Sequence, residues 1–182
     1  MPAHPSISIA ACALHRFRRD RNGVAAIEFA FIAAPFLTLM FAIIETALAL
    51  LASTALETAT QDTARLIMTG QAQMSEMSAA QFKTSLCTRL TGMMDCENGV
   101  DVDVQSSQSV SDIKLQKPID DNGNYTVTPE FNPGRAGDIV VVRTFYQWPV
   151  FVPGLGFNAG NLNNNKRLLV GVATFRNEPG PF

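Results

Sequence analysis

Residues 24–44 read VAAIEFAFIAAPFLTLMFAII, a run in which Glu28 is the only charged side chain. At a rise of about 1.5 Å per residue, a helix of this length spans roughly 31 Å, which matches the hydrocarbon core of a bilayer. The run is also longer than the apolar region of a secretory signal peptide, which is usually about 7–15 residues. It therefore predicts a transmembrane helix.

A cluster of arginines lies immediately before this run, at Arg16, Arg18, Arg19 and Arg21. Basic flanks are retained in the cytoplasm, so we expect a single pass with the N-terminus inside and the C-terminal part outside, in the periplasm. From residue 24 onward acidic residues outnumber basic ones, and the formal net charge of the chain is −2. This balance gives no basis for a nucleic-acid partner.

The apolar pattern continues past residue 44 in a different form. Apolar side chains recur at three- and four-residue steps, and polar side chains occupy the opposite face. The apolar positions are Leu48, Leu51, Ala52, Ala55, Leu56, Ala59, Leu66 and Ile67. Such spacing is typical of an amphipathic helix, and Gly70 is a typical C-terminal stop. We expect one long helix, with residues 24–44 in lipid and residues 45–70 as an extracytoplasmic extension.

Glu28 is the unusual residue of the transmembrane run. A carboxylate at the bilayer centre costs about 2.5–3.5 kcal/mol on insertion scales, and less near an interface. One interpretation is that Glu28 reaches out to the headgroups. Its context offers a second interpretation, because Gly23 separates the arginines from the run and Glu28 is the fifth residue after that glycine.

Basic residues, a glycine, and an apolar helix with Glu at its fifth position resemble the processing site of type IV prepilins. Residues 21–29 (RNGVAAIEF) are similar to TadE-like pseudopilins of Tad (Flp, type IVc) pilus systems, and so are residues 63–71 (TARLIMTGQ). The resemblance implies that a prepilin peptidase cuts after Gly23. It also implies that Val24 becomes the new N-terminus and that Glu28 serves processing or subunit insertion.

The resemblance further implies a minor pilin or pseudopilin that takes part in assembly of a Tad-type pilus. Major Flp pilins are much shorter and often carry Tyr after the Glu, whereas Phe29 follows it here and a large domain is appended. Its partners would be other Tad pilins and pseudopilins, the inner-membrane assembly platform, the prepilin peptidase and membrane lipid. The alternative is an unprocessed, signal-anchored periplasmic domain that binds another partner or acts as a scaffold.

There is a physical reason why Glu28 would accompany cleavage after Gly23. Cleavage creates an ammonium group on Val24 at membrane depth, and a buried charge is tolerable only when it is paired. Glu28 of one subunit could neutralise Val24 of its neighbour. Small residues such as Ala25 and Ala26 would let the helices approach closely.

The remaining residues, 71–182, predict a small α+β domain that follows the leader (1–23) and the long helix. Ser78 and Gln81 fit a capping box at the start of a short helix. Valines alternate with polar residues over 100–105, with Asp101 and Asp103 expected on a solvated face. Further strands are expected over 139–148 and 168–175, with one short strand near 125–128, which gives an antiparallel sheet of three or four strands.

Cys87 and Cys96 lie close together in sequence, in the part expected outside the cytoplasm. That location favours a disulfide, and two independent buried thiols are the alternative. A metal site is not expected, because two thiolates without a histidine or a second cysteine pair do not complete a tetrahedral set.

Catalysis is not expected either. Both histidines, His4 and His15, lie in the leader, so the rest of the chain cannot form a Ser–His or Cys–His pair. The turn at Asp120 and Asp121 lacks the glycine and the final acid of a calcium loop. The sequence therefore predicts no catalytic residue, no metal and no cofactor.

Overall fold

The computed structural model describes residues 23–90, 92, 94–151 and 160–180. The predicted leader, apart from Gly23, lies outside the described residues. The chain divides into two units, Met1–Ile43 and Ile44–Phe182.

One long helix, α1 (Val24–Met68), opens the described chain. Its first turn closes where the N–H of Ile27 donates to the carbonyl of Gly23 at 3.1 Å. It ends where Gly70 adopts a left-handed conformation with φ of 77°, which favours glycine, and donates to the carbonyl of Ile67 at 3.0 Å. The predicted long helix and its stop at Gly70 are confirmed.

The elements after α1 form an α+β fold. A three-stranded antiparallel sheet has the order β1-β2-β3. Ser78 caps α3 with the predicted capping box, since Gln81 N–H donates to Ser78 Oγ at 3.3 Å and Ser78 N–H donates to Gln81 Oε1 at 2.8 Å. The elements are α2 (Gln71–Met74), α3 (Ala79–Cys87), α4 (Cys96–Gly99), β1 (Val100–Ser107), a 3₁₀ turn (Val110–Asp112), β2 (Ile139–Pro149) and β3 (Lys166–Arg176).

One face of the sheet packs on the C-terminal part of α1 and on α3. Valines of β1 and β2 form this core together with Phe82 and Leu86 of α3. The expected apolar face of α1 is confirmed at Ala52, Leu56, Ala59 and Ile67 but wrong at Leu48 and Leu51, which are exposed. The sheet lies against a stripe rich in small and hydroxyl side chains, which permits close packing: Ala49, Ala52, Leu56, Ala59, Thr60, Thr63, Ala64 and Ile67.

The helix and the sheet approach each other most closely at Gly171 of β3. A Cβ at this position would lie 2.5 Å from Thr60 Oγ1 and 2.6 Å from Thr144 Oγ1, closer than real Cβ contacts come. Thr60 donates to the carbonyl of Leu56 at 2.6 Å, so the hydroxyl of Thr144 donates to Thr60 Oγ1, also at 2.6 Å. Two buried hydroxyls are thus satisfied inside the interface.

The opposite face of the sheet is covered by the long connection between β1 and β2. Phe145 of β2 packs there with Val127 and Leu162. The short strand expected over 125–128 is absent from the described residues, and Tyr125 forms only an isolated bridge to Ile119. A backbone segment also covers the outer edge of β1, where Val104 exchanges hydrogen bonds of 2.7 and 2.8 Å with residues 130 and 132.

Within the second unit, β2 runs back along α1 toward its N-terminal side. Glu178 N–H donates to Met68 O at 2.9 Å, Thr144 contacts Thr60, and Phe151 N–H donates to Glu45 Oε1 at 2.5 Å. These contacts require that the helix and the strand cover similar distances between them. Helix α1 rises roughly 22 Å from residue 45 to residue 60, and an extended chain covers roughly 23 Å from residue 144 to residue 151. The end of β2 and Phe151 therefore lie beside residue 45 of α1.

Candidate functional site

Gly23 and Val24 form the boundary at which helix α1 begins. Gly23 lies in a turn and is exposed, and a Cβ at this position would have no atom within 4 Å. Val24 is the first helical residue and is exposed as well. The peptide bond between them is therefore at the junction of a turn and a helix.

Glu28 lies one helical turn after Val24, on the same face of α1, because residues four apart are neighbours on a helix. Its side chain is exposed in the single chain. Most of the side chains that follow it in the first unit are large, apolar and exposed: Phe29, Phe31, Ile32, Phe36, Leu37, Leu39, Met40, Phe41 and Ile43. This part of α1 presents a carboxylate beside an apolar surface that suits lipid or other helices.

Cys87 and Cys96 form a disulfide, as predicted. Their Cα atoms are 5.5 Å apart, and the bond joins the last residue of α3 to the first residue of α4. Closing a loop of this length stabilises a fold by roughly 2–3 kcal/mol in the chain-entropy model. The bond fixes α3 against the start of the sheet.

Asp120 heads a tight polar turn. Its carboxylate accepts from the side chain of Asn124 at 2.9 Å and from the backbone N–H groups of Asn122 and Asn124 at 2.9 and 2.7 Å. These hydrogen bonds, the Asn124 side chain foremost, hold the pKa of Asp120 below its usual value. The carboxylate oxygens of Asp120 therefore stabilise the turn. The described residues contain no group of three His, Cys, Asp or Glu side chains placed to hold a metal ion.

The sequence did not predict the buried ion pair of Asp103 and Arg143. Asp103 was expected on a solvated face but is fully buried, because the β1–β2 connection covers that side of the sheet. Arg143 donates to Asp103 Oδ2 from Nη2 at 2.6 Å and from Nε at 3.0 Å, and to the carbonyl of Gln116 at 2.9 Å. The N–H of Glu130 donates to Asp103 Oδ1 at 3.1 Å. The signal for this pair was a lone arginine inside an otherwise uncharged strand, IVVVRTFYQW.

Helix α1 is long and apolar enough to cross a membrane, with a mean hydropathy of 2.2 over its apolar window. A family model described as TadE-like protein matches residues 23–65, from the glycine before α1 to its last turn. No curated protein and no solved structure matches the chain. The match covers about a quarter of the chain, and over residues 23–65 the sequence is similar to TadE-like proteins.

Proposed function

We propose that this protein is a minor pilin or pseudopilin that takes part in assembly of a Tad-type (type IVc) pilus. The observation that carries the proposal is the TadE-like match, which begins at Gly23, one residue before helix α1. The role is structural, with no reaction assigned to any residue. Its partners are other pilus components, among them Tad pilins and pseudopilins and the inner-membrane assembly platform.

In this proposal a prepilin peptidase removes residues 1–23 and leaves Val24 as the N-terminus. The exposed Gly23–Val24 junction supports it, because a peptidase must reach the bond that it cuts. Residues 24–44 then anchor the chain in the inner membrane. Residues 45–70 extend outside it and support the α+β domain of residues 71–182 in the periplasm, where the disulfide of Cys87 and Cys96 is favoured.

Glu28 has an assembly role in this proposal. Its carboxylate neutralises the Val24 ammonium of an adjacent subunit and thereby fixes the register between packed helices. The spacing supports this, since the two groups lie one turn apart and a small axial shift between neighbouring helices brings one against the other. The exposed apolar side chains around Glu28 supply the surface on which such helices pack.

The processing step is tested by the intact mass of the protein extracted from membranes of its own host. The expected mass lacks residues 1–23. Gly23→Lys should block the loss, because a long charged side chain replaces the residue at the cleavage point. Val110→Lys, at an exposed position far along the chain, is the matched control and should be processed normally. Mature protein that begins at Met1 or Pro2 would contradict the proposal and favour the unprocessed anchor.

A further inference from the structure

Strand β3 forms one edge of the sheet, because it pairs with β2 alone. In an antiparallel pair, successive residues alternately bond to the neighbouring strand and point away from it. Asn177, directly after β3, donates to the carbonyl of Asp138 on the β2 side at 2.8 Å. Counting back by twos from residue 177, the odd-numbered residues of β3 bond to β2. Val170, Val172 and Thr174 therefore direct their backbone N–H and C=O groups away from the sheet.

The outward backbone groups of Val170, Val172 and Thr174 make no hydrogen bond within the described residues. The start of the strand agrees with this alternation, because the N–H of Leu168 points outward and donates to the side chain of Asn161 at 2.7 Å. The opposite edge of the sheet differs, since β1 bonds there to the backbone of residues 130 and 132. In the part of the chain that the structure describes, one edge is covered and the other is open.

Open edges usually carry a central charge, a proline or a bulge, each of which prevents pairing with a further strand. Residues 168–175 of β3 read LLVGVATF and contain no charge and no proline, and their register with β2 is continuous. The outward residues also expose apolar side chains, since Val170 is 36% and Val172 is 45% exposed. This edge is therefore suited to strand addition, in which main-chain hydrogen bonds supply affinity and alternate side chains supply specificity.

Basic side chains lie at both ends of this edge. Lys166 and Arg167 begin β3 and Arg176 ends it, and the strand contains no acidic residue. None of the three forms an ion pair within the described residues, where the pair of Arg143 and Asp103 is the only one. Carboxylates on an added strand would complement these cations. A second copy of β3 would instead add three more cations and no carboxylate, which disfavours pairing between copies.

We propose that the outer edge of β3 is a docking site at which an extended segment of another protein adds as a fourth strand. The segment has a β-branched centre, which packs beside the exposed valines, and acidic side chains at its ends. Lys166 also lines a polar cavity with Asp95 and Asp101, so the partner's acid is expected foremost at Arg176. The inference does not rest on the proposed function, because every residue involved belongs to the second unit.

The test uses the full chain in detergent and two fluorescein-labelled synthetic peptides, EEVTVTVEE and its lysine counterpart KKVTVTVKK. Fluorescence anisotropy measures the affinity of each peptide. We expect the acidic peptide to bind about tenfold more tightly at low salt, because several exposed ion pairs add, and the difference to shrink as salt rises. Arg176→Glu should narrow the ratio between the two affinities. Equal affinities for the wild type, or binding of neither peptide, would overturn the proposal.

A proline substitution tests whether the edge itself is the site. Val172→Pro removes an outward N–H and should weaken binding of the acidic peptide about tenfold, whereas the β2 ladder does not use that N–H and should persist. Val110→Pro, at an exposed valine that begins the 3₁₀ turn, is the matched control and should bind like the wild type. Circular dichroism checks that both variants fold. A folded Val172→Pro protein that binds like the wild type would overturn the proposal.

Amide hydrogen exchange of the wild-type chain tests the same site without a substitution. The acidic peptide should slow exchange at Val170, Val172 and Thr174, whose N–H groups point away from β2. Unchanged exchange at these residues with bound peptide would overturn the proposal, whether or not Val172→Pro folds. Exchange that slows without peptide as the protein concentration rises would assign the edge to a second copy of the chain and would also overturn it.

Discussion

Arg143 and Asp103 form an ion pair on the covered face of the sheet, and each also holds the backbone of the β1–β2 connection. The pair therefore joins strands β1 and β2 to the segment that covers them. Removing one member leaves the other as an unpaired charge in a buried site. Such a change usually costs more than the pair itself contributes.

Asp103→Asn should lower the free energy of unfolding by about 3–5 kcal/mol, because it leaves the buried guanidinium of Arg143 unpaired. The measurement is urea unfolding of the full chain in detergent, followed by circular dichroism. Asp112→Asn, at an exposed acid of the 3₁₀ turn, is the matched control. Equal stabilities of the two variants would show that the ion pair is not needed for the fold.

Ionisation of the Tyr125 phenol makes the stability of the fold depend on pH in the alkaline range. Burial, foremost, and the negative charge of Asp101 raise the pKa of this phenol well above its ordinary value of 10.0. A raised pKa of the folded state means that the unfolded chain releases the proton first. The stabilisation is therefore complete below pH 10.0 and is lost as pH rises above it.

Tyr125→Phe should unfold like the wild type at neutral pH and should lose less stability between pH 10 and 12. Chemical denaturation at a series of pH values checks this difference. Tyr146→Phe, in strand β2, serves as a control for the loss of a tyrosine hydroxyl group. Parallel pH profiles for Tyr125→Phe and the wild type would mean that another group causes the alkaline loss.

At the scale of elements, helix α1 and strand β3 pack closely because Gly171 has no side chain. Gly171→Ala should lower the free energy of unfolding by about 1–3 kcal/mol, because its Cβ would overlap the hydroxyls of Thr60 and Thr144. Thermal unfolding measures the loss. Val172→Ala, at the next and exposed position of β3, should change stability less. A Gly171→Ala protein as stable as Val172→Ala would show that the interface relaxes freely.

Local patterns predicted most of the elements. The long helix, its stop at Gly70, the capped helix after Ser78 and the three strands each depend on neighbours in sequence, and each is present. Helical periodicity found Ala52, Leu56, Ala59 and Ile67 of the buried face of α1 but also selected Leu48 and Leu51, which are exposed. The position of the sheet depends on Gly171, more than a hundred positions away in the chain, and periodicity contains no information on it. The alternation of valines and polar residues in β1 likewise predicted that Asp103 is exposed to solvent, because such a pattern contains no information on which segment covers the sheet. The processing residues Gly23, Val24 and Glu28 stay predictions.

At the scale of the whole molecule, the Glu28→Gln variant tests whether Glu28 is needed for assembly while the fold itself is unaffected. In the proposed assembly, loss of the carboxylate would leave a neighbour's Val24 ammonium unpaired, at a cost of up to about 3–5 kcal/mol in a well-buried site. We expect normal protein levels, an intact disulfide and reduced co-purification with pilus components. The measurements are pull-down of the extracted assembly and counts of surface pili.

Glu57→Gln, at an exposed position farther along α1, is the matched control and should assemble normally. Intact mass must show that Glu28→Gln is still processed, because the peptidase also reads this region in the proposed mechanism. If a processed Glu28→Gln protein assembled like the wild type, the assembly role proposed for Glu28 would be wrong. The interpretation that its carboxylate reaches the headgroups would then stand.

The hydrogen bond from Glu178 to Met68 sets an order of events during synthesis. Strand β3 begins about a hundred positions after helix α1 ends, yet β3 and Glu178 complete the end of that helix and its interface with the sheet. The disulfide spans only nine positions and can close early. The buried stripe of α1 therefore stays uncovered in the nascent chain until β3 has left the ribosome, an interval in which a chaperone would have a site to bind.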